Sequence, residues 1–342
     1  MKAQLLERRV EHIDISRHDT RSLVAAFAGM SFSARDLARA AEIYGRMLAD
    51  PGCTIILSLA GSTSAAGCMR LYADLVERGM VDVVVATGAA VVDMDFFEAL
   101  GFAHYQGSAT ADDRRLRELY IDRIHDTYID EEQLQACDLT VKEIADQLAP
   151  GAYSSRGFIR EMGRWLVDHP ERARQRRSLV QTCFDHDVPI FCPAFSDSCA
   201  GFGLVAHQAG RPGANVIIDS VRDFRELTEI KLAVEQTGLL IVGGGVPKNF
   251  VQDTVICAEM LGRPVPMHKY NVQITVADPR DGGCSGSTLK EAGSWGKVDA
   301  AFEQMVYAEA TLAMPLLAGA LYHGEDWRPR PRRALARLFD RR

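Results

Sequence analysis

The sequence contains no Cys-x-x-Cys pair, no internal repeat and no apolar run approaching the roughly 20 residues that a membrane span requires. Its eight cysteines, at 53, 68, 137, 183, 192, 199, 257 and 284, are scattered. Neither a zinc site nor a disulfide framework is therefore indicated, and most of the thiols read as small buried hydrophobes. The N-terminal stretch from Met1 to Arg9 lacks the apolar core of a signal peptide. A cytoplasmic protein with no membrane segment and no metal site is expected. Positive charge is scarce over most of the chain: the net charge is −7, yet residues 328–342 hold seven Arg and one Asp, which leaves −13 on the rest. An acidic body argues against a nucleic-acid partner and suits a cationic substrate. The Arg-Pro-rich end reads as a basic tail over 326–342, a mobile or docking extension behind a single domain over 1–325.

What is present is a long alternation of strand-like and helix-like segments. With 342 residues, 47% hydrophobic and 25% charged, the chain can bury a large core without staples. A helix is expected from Ser33 to Leu48, with Ser33 as N-cap and Leu37, Ala40, Ala41, Tyr44 and Leu48 on one face. Pro51-Gly52 breaks the chain before Cys53–Ala60, a continuous apolar run of the kind found in buried parallel strands. Gly61-Ser-Thr-Ser-Ala-Ala-Gly67 follows, then a helix through Val76. Strand, small-residue turn and helix is an arrangement that cradles phosphates, and it also serves plain connections. Further strands are expected at Val81–Thr87, Val188–Pro193, Val216–Asp219, Gly238–Gly245 and Lys269–Val276, with helices at 157–167, 171–184 and 224–236. Residues 103–155, polar and charged, read as an insertion. A last helix is expected from Val298 through Leu321, with Phe302, Met305, Val306, Ala310, Met314 and Leu317 as its apolar stripe. Six strand-like runs between helices predict an α/β protein built on a doubly wound parallel sheet, its glycine-rich strand ends gathered on one edge.

Three stretches on that edge could carry chemistry. Asp197, after the strand ending at Pro193 and before Gly201 and Gly203, would face a ligand or else cap the following helix. Gly243-Gly-Gly245 removes every side chain from a strand end, either for a cofactor or for a tight turn. Glu291-Ala-Gly-Ser-Trp-Gly-Lys297 places a carboxylate, an indole and a primary amine within one short stretch. A lysine walled by Trp295 would be partly desolvated and could act as a nucleophile, although most lysines are simply solvated. A nucleotide edge beside such an amine points to amine oxidation with capture of the imine as a Schiff base.

The segments Met30–Leu37, Met80–Gly88, Val188–Asp197, Gly243–Lys248, Glu291–Lys297 and Val306–Leu317, in this order, resemble the deoxyhypusine synthases and their relatives the homospermidine synthases, over residues from about 20 to 322. The resemblance implies a Rossmann-like fold, a homotetramer with active sites at dimer interfaces, and NAD that is reduced and reoxidised within one turnover. It implies a polyamine such as spermidine as donor, its aminobutyl group passing through an imine on a lysine to an acceptor amine. Lys297 matches that catalytic lysine. Glu291 and Trp295 match residues that bind and pack the polyamine. Thr87, Asp93, Asp197, Gly244, Asp281 and Glu309 fall on cofactor-contact positions, with Asp93 and Glu309 each exchanging one acid for the other.

The departures from the family pattern are as informative. Asn249 stands where the synthases carry a histidine used in proton handling, and an amide can position a substrate but cannot act as a base. Phe202 and Cys284 stand where two amine-binding carboxylates are expected. The reading is therefore NAD-dependent aminoalkyl transfer to an amine or guanidine acceptor. The alternatives are deoxyhypusine formation on a protein lysine, an NAD-dependent amine dehydrogenase without transfer, and a non-catalytic NAD or polyamine binder.

Overall fold

Strand runs with apolar side chains on both faces must be covered on both sides, and that requirement sets the architecture. The computed structural model describes residues 1–173 and 177–340. Its central sheet contains β1 (Cys53–Leu59), β2 (Val83–Ala86), β3 (Ile190–Phe191), β4 (Gln236–Val242), β5 (Tyr270–Thr275) and β6 (Glu303–Tyr307). All pairings are parallel, in the order β3-β2-β1-β4-β5-β6. The chain leaves β1 towards β2 and β3, then returns to β1's other side with β4. The strand order thus reverses between β1 and β4, where open α/β sheets bind ligands.

Alternation along each strand divides the interior. Ile55, Leu57 and Leu59 join one core with Val84, Leu240 and Val242, while Ile56 joins the opposite core with Val85, Leu239 and Ile241. Helix α1 (Ser33–Ala49) covers the first face through Leu37, Ala40, Ile43, Tyr44, Met47 and Leu48. Helices α2 (Met69–Glu77), α3 (Glu131–Gln147) and α4 (Ser155–Asp168) contribute to the same core. The opposite face is covered by α5 (Ser220–Ala233), α6 (Gly245–Gln252) and α8 (Leu289–Ser294), with α7 (Thr254–Met260) packed against α5 and α6, and α9 (Ala310–Gly324) returns to the first face. No helix among the described residues is long and apolar enough to cross a membrane.

Several expectations are corrected. Val298–Leu321 is not one helix: Glu303–Tyr307 is edge strand β6, and Met305 and Val306 enter opposite cores, as a period of two requires. Val216–Ile218 is not a strand of the central sheet; it pairs with Gly151–Tyr153 in a separate two-stranded sheet. Ser33 does not cap α1, whose N-cap is Phe32; its hydroxyl donates to the Tyr307 carbonyl at 2.7 Å and ties the helix to the end of β6. Within 103–155, Tyr105–Gln106, Ile121–Ile124 and Thr127–Asp130 form an antiparallel sheet with a small core of its own, and α3 packs into the main core. Of the helix expected over 171–184, Leu179–Asp185 is helical, and residues 174–176 lie outside the described residues.

The Arg-rich segment folds back on the sheet. Arg330 Nη2 meets Asp82 Oδ2 at 2.8 Å with both side chains 3% exposed, and it also donates to the Cys53 carbonyl at 2.9 Å. Leu335, Ala336 and Phe339 are buried. Arg341 and Arg342 lie outside the described residues. Breaking a buried pair strands the remaining charge, so Arg330→Ala should cost about 3–5 kcal/mol in urea unfolding. A loss below about 1 kcal/mol, the scale of an exposed pair, would contradict this docking.

Candidate active site

The site is built around the ends of β4 and β5. The chain leaves β4 through Gly243 at φ +74, a left-handed turn in which a Cβ would lie 2.9 Å from the Ala60 carbonyl oxygen. At Gly244 a Cβ would meet the Ser285 Cα at 2.5 Å. The second glycine is therefore needed for the 284–287 loop to lie against the turn. That loop is stitched down by polar contacts: the Gly245 amide donates to Ser285 Oγ at 3.0 Å, and Gln273 Nε2 donates to the carbonyls of Gly243 at 2.8 Å and Ser285 at 3.0 Å. Lys248, fully buried, donates to the Cys284 carbonyl and Ser287 Oγ, both at 3.1 Å, and to the Ser287 carbonyl.

Helix α8 then presents the reactive stretch. Thr288 and Glu291 form a capping box: the Glu291 amide donates to Thr288 Oγ1 at 3.0 Å and the Thr288 amide donates to the Glu291 carboxylate at 3.3 Å. Gly296, at φ +72, ends the helix in the left-handed conformation, and the Lys297 amide donates back to the Ala292 carbonyl at 3.1 Å. This throws the lysine side chain into a cleft of about 990 Å³ lined by α6, α7, α8 and the 282–287 loop. Lys297 Nζ sits 2.5 Å from Asp253 Oδ1 and 5.2 Å from the centroid of the Trp295 ring. Asn249 Nδ2 donates to the other Asp253 oxygen at 2.9 Å. Ile256, Cys257, Met260 and Leu261 make the wall apolar.

Behind the cleft, His268 joins its two sides. Its amide donates to the Lys297 carbonyl at 3.0 Å, and its Nε2 lies 3.1 Å from the Val251 carbonyl on α6. Its Nδ1 lies 2.7 Å from Thr237 Oγ1, which also accepts from the buried Lys231 at 2.7 Å. Complete burial holds the imidazole well below its ordinary pKa, so the ring is neutral and Nε2–H is the donor to Val251.

The model of the deoxyhypusine synthase family matches residues 22–321. The chain belongs to the deoxyhypusine synthase family. A deoxyhypusine synthase-like protein of Coxiella burnetii is 64% identical over 339 residues, covering 99% of this chain and 96% of the relative. One from Caulobacter vibrioides is 58% identical over 341 residues, covering 99% and 92%. A crystal structure assigned as a deoxyhypusine synthase, from Entamoeba histolytica, shares the fold at a TM-score of 0.60 and 18% identity, over 92% of this chain and 97% of that one.

Against the expectations for this family, the structure gathers Lys297, Glu291, Trp295, Asn249 and Cys284 around one cleft. Phe202 lies elsewhere, 67% exposed on the helix Cys199–Gly210. The cofactor-contact candidates follow the strand ends. Thr87 closes β2 and accepts from the Ala90 amide at 3.3 Å. Asp93 accepts from the Cys199 amide at 2.9 Å, and burial pushes its carboxyl up to about 6. Asp197 lies in the exposed loop after β3 and does not cap the next helix, whose N-cap is Ser198. Asp281 accepts from the Gly283 amide at 2.6 Å. Glu309 caps α9 by accepting from the amides of Thr311 at 3.0 Å and Leu312 at 3.2 Å.

The turn after β1 leaves open space beside the strand-order reversal. A Cβ on Gly61 would meet nothing within 4 Å, and the buried Ser64 hydroxyl has no protein partner. Gly67 serves another purpose, since a Cβ there would lie 2.8 Å from the Glu11 carbonyl oxygen of the N-terminal arm.

Sequence reasoning missed Asp253, the carboxylate in contact with Lys297. Asp253 lies four residues after Asn249, one helical turn away, but that spacing does not mark its contact with Lys297. Lys297, expected to be partly desolvated beside Trp295, has its side chain 13% exposed and is also ion-paired. Lys248 was legible only as part of a motif, and its role is to pin the loop that carries Cys284 and Ser287. Lys248→Met removes the donor to the Cys284 and Ser287 carbonyls, which lie in a partly exposed loop, and should cost about 1–3 kcal/mol in all, with faster proteolysis across 282–288. Burial lowers the Lys248 ammonium to about 8 from 10.5, so the folded chain releases that proton first. Its contribution to stability therefore grows as pH rises from about 8 towards 10.5, and the methionine variant should lack that part of the stability–pH curve.

Proposed function

We propose that the chain transfers an aminobutyl-type group from a polyamine to an amine acceptor, through an imine on Lys297 and with NAD as the redox partner, in a cytoplasmic homotetramer. The observation that carries this reading is Lys297 in a partly apolar cleft, with Asp253 at 2.5 Å and Trp295 beside it. NAD, when bound, would supply removal of hydride from the amine carbon and its later return. Thr87, Asp93, Asp197, Gly244, Asp281 and Glu309 are the residues proposed to hold it, with the open space at Gly61 and the unpartnered Ser64 hydroxyl in support.

The other steps belong to the protein's side chains. Asp253 and Glu291 are the carboxylates lining the cleft, and they would receive the ammonium groups of a polyamine. The Trp295 face and the apolar wall of Ile256 and Met260 suit a chain of methylenes carrying cationic nitrogens. Lys297 attacks the imine carbon, holds the alkyl group covalently while the first amine departs, and yields it to the acceptor. Asn249 orients Asp253. Val246, Met260, Leu261 and Trp295 are large, exposed and grouped on the rim, which supports assembly of a second copy across the cleft.

Incubation with NAD and spermidine or another polyamine, followed by borohydride and peptide mass spectrometry, should give an alkyl adduct on Lys297. Reduced NAD should not accumulate, and Lys297→Ala should reduce trapping to background. Absence of an adduct with every amine tried would contradict the imine mechanism, and net formation of reduced NAD would favour a dehydrogenase.

A further inference from the structure

The geometry points to Asp253 as the proton carrier for Lys297, taking protons from the attacking amine and delivering them to the group that leaves. This rests on Lys297 acting as the nucleophile, as proposed above. Asp253 sits at the junction of α6 and α7, in the N-cap position of α7, where an aspartate ordinarily accepts from the helix's first amides. Here its side chain makes no cap hydrogen bond. One oxygen takes the Asn249 amide at 2.9 Å and the other lies 2.5 Å from Lys297 Nζ. The carboxylate is therefore turned from the backbone to the amine and held there by the side chain one helical turn earlier.

The competing groups are otherwise occupied. Glu291 spends one oxygen on its capping box. The Lys248 ammonium is fully buried, with its donors on Cys284 and Ser287. Among the described residues, no histidine lines the cleft. His268, behind it, keeps both partners in register by holding the Lys297 carbonyl and the Val251 carbonyl two residues before Asp253. The pair is also within reach of a substrate, because the Asp253 side chain is 30% exposed.

In imine exchange a bond forms from Nζ to the imine carbon and the bond from that carbon to the departing nitrogen breaks. Nζ gives up two protons and the departing nitrogen gains two, with no change in oxidation state. Asp253 Oδ1 carries these protons in turn, with the carboxylate restored at the end. A carboxylate that merely paired with the ammonium would slow the reaction by favouring the charged amine, whereas a proton carrier speeds it. The two roles predict opposite signs on removal of the carboxylate.

Capture of butanal by Lys297 in the full-length protein, trapped with cyanoborohydride and read by peptide mass spectrometry, separates them. Asp253→Asn should slow capture by at least about 10²-fold, the usual scale of general acid–base catalysis. Asp253→Glu, which keeps a carboxylate, should be slowed much less, and added formate should accelerate Asp253→Ala but not wild type. An Asp253→Asn variant that reacts as fast as wild type or faster overturns the inference, and so does Asp253→Glu slowed as much as Asp253→Asn. The assay uses neither NAD nor a polyamine, so a failed polyamine experiment leaves its result standing. No capture on wild-type Lys297 would overturn both readings.

Discussion

The parallel pairing of β1 with β4, from Cys53 opposite Gln236 to Leu59 opposite Val242, is the constraint on which the rest of the molecule depends. Both strands are buried over almost their whole length, so neither can slip by one residue without moving side chains between the two cores. That register brings Ala60-Gly61 and Gly243 to the same level, and the Ala60 amide donates to the Val242 carbonyl at 2.9 Å. The open space at Gly61 and the turn that starts α6 are two consequences of one pairing. Because α6 carries Lys248 and Asn249 and leads into Asp253, the sheet also fixes the cleft wall that faces Lys297.

The second wall is held less by burial than by polar stitching. Loop 284–287 has few apolar residues and lies in place because Lys248, Gln273 and the Gly245 amide satisfy its carbonyls and hydroxyls. Such a loop can keep Cys284 exposed beside the cleft without a core of its own. A short capped helix then delivers Trp295 and Lys297, and the parallel bridge of His268 with Val298 anchors its far end to the sheet. Lys297 is thus fixed from the backbone side while its side chain remains in the cleft.

The parts of this arrangement that were legible in the sequence are those with a local signature. Cys53–Leu59 could be recognised because a strand covered on both faces is mostly apolar, with only the small Thr54 and Ser58 interrupting the run. Glu303–Tyr307 could not, because the spacing of Phe302, Val306 and Ala310 mimics a helical stripe while Met305 and Val306 serve opposite cores. Val216–Ile218 has the apolar character of a core strand, yet it pairs at the rim with Ile217 52% exposed. Lys297, Trp295 and Glu291 were marked by their shared short stretch. Asp253 was not, because its importance comes from a contact 44 residues distant in sequence, between a helix junction and the end of α8. Long-range charge pairing has no sequence period to reveal it.

In the proposed reaction the strand ends of β1 and β4 would hold NAD and the cleft at Lys297 the amine, with hydride leaving and returning to the same alkyl group. Mass spectrometry of the product formed from a polyamine deuterated at the carbons next to its nitrogens tests that return directly. The account predicts that the transferred group retains its full deuterium content, with no labelled reduced NAD released to solution. Loss of deuterium from the transferred group, or its accumulation in free reduced NAD, would contradict it.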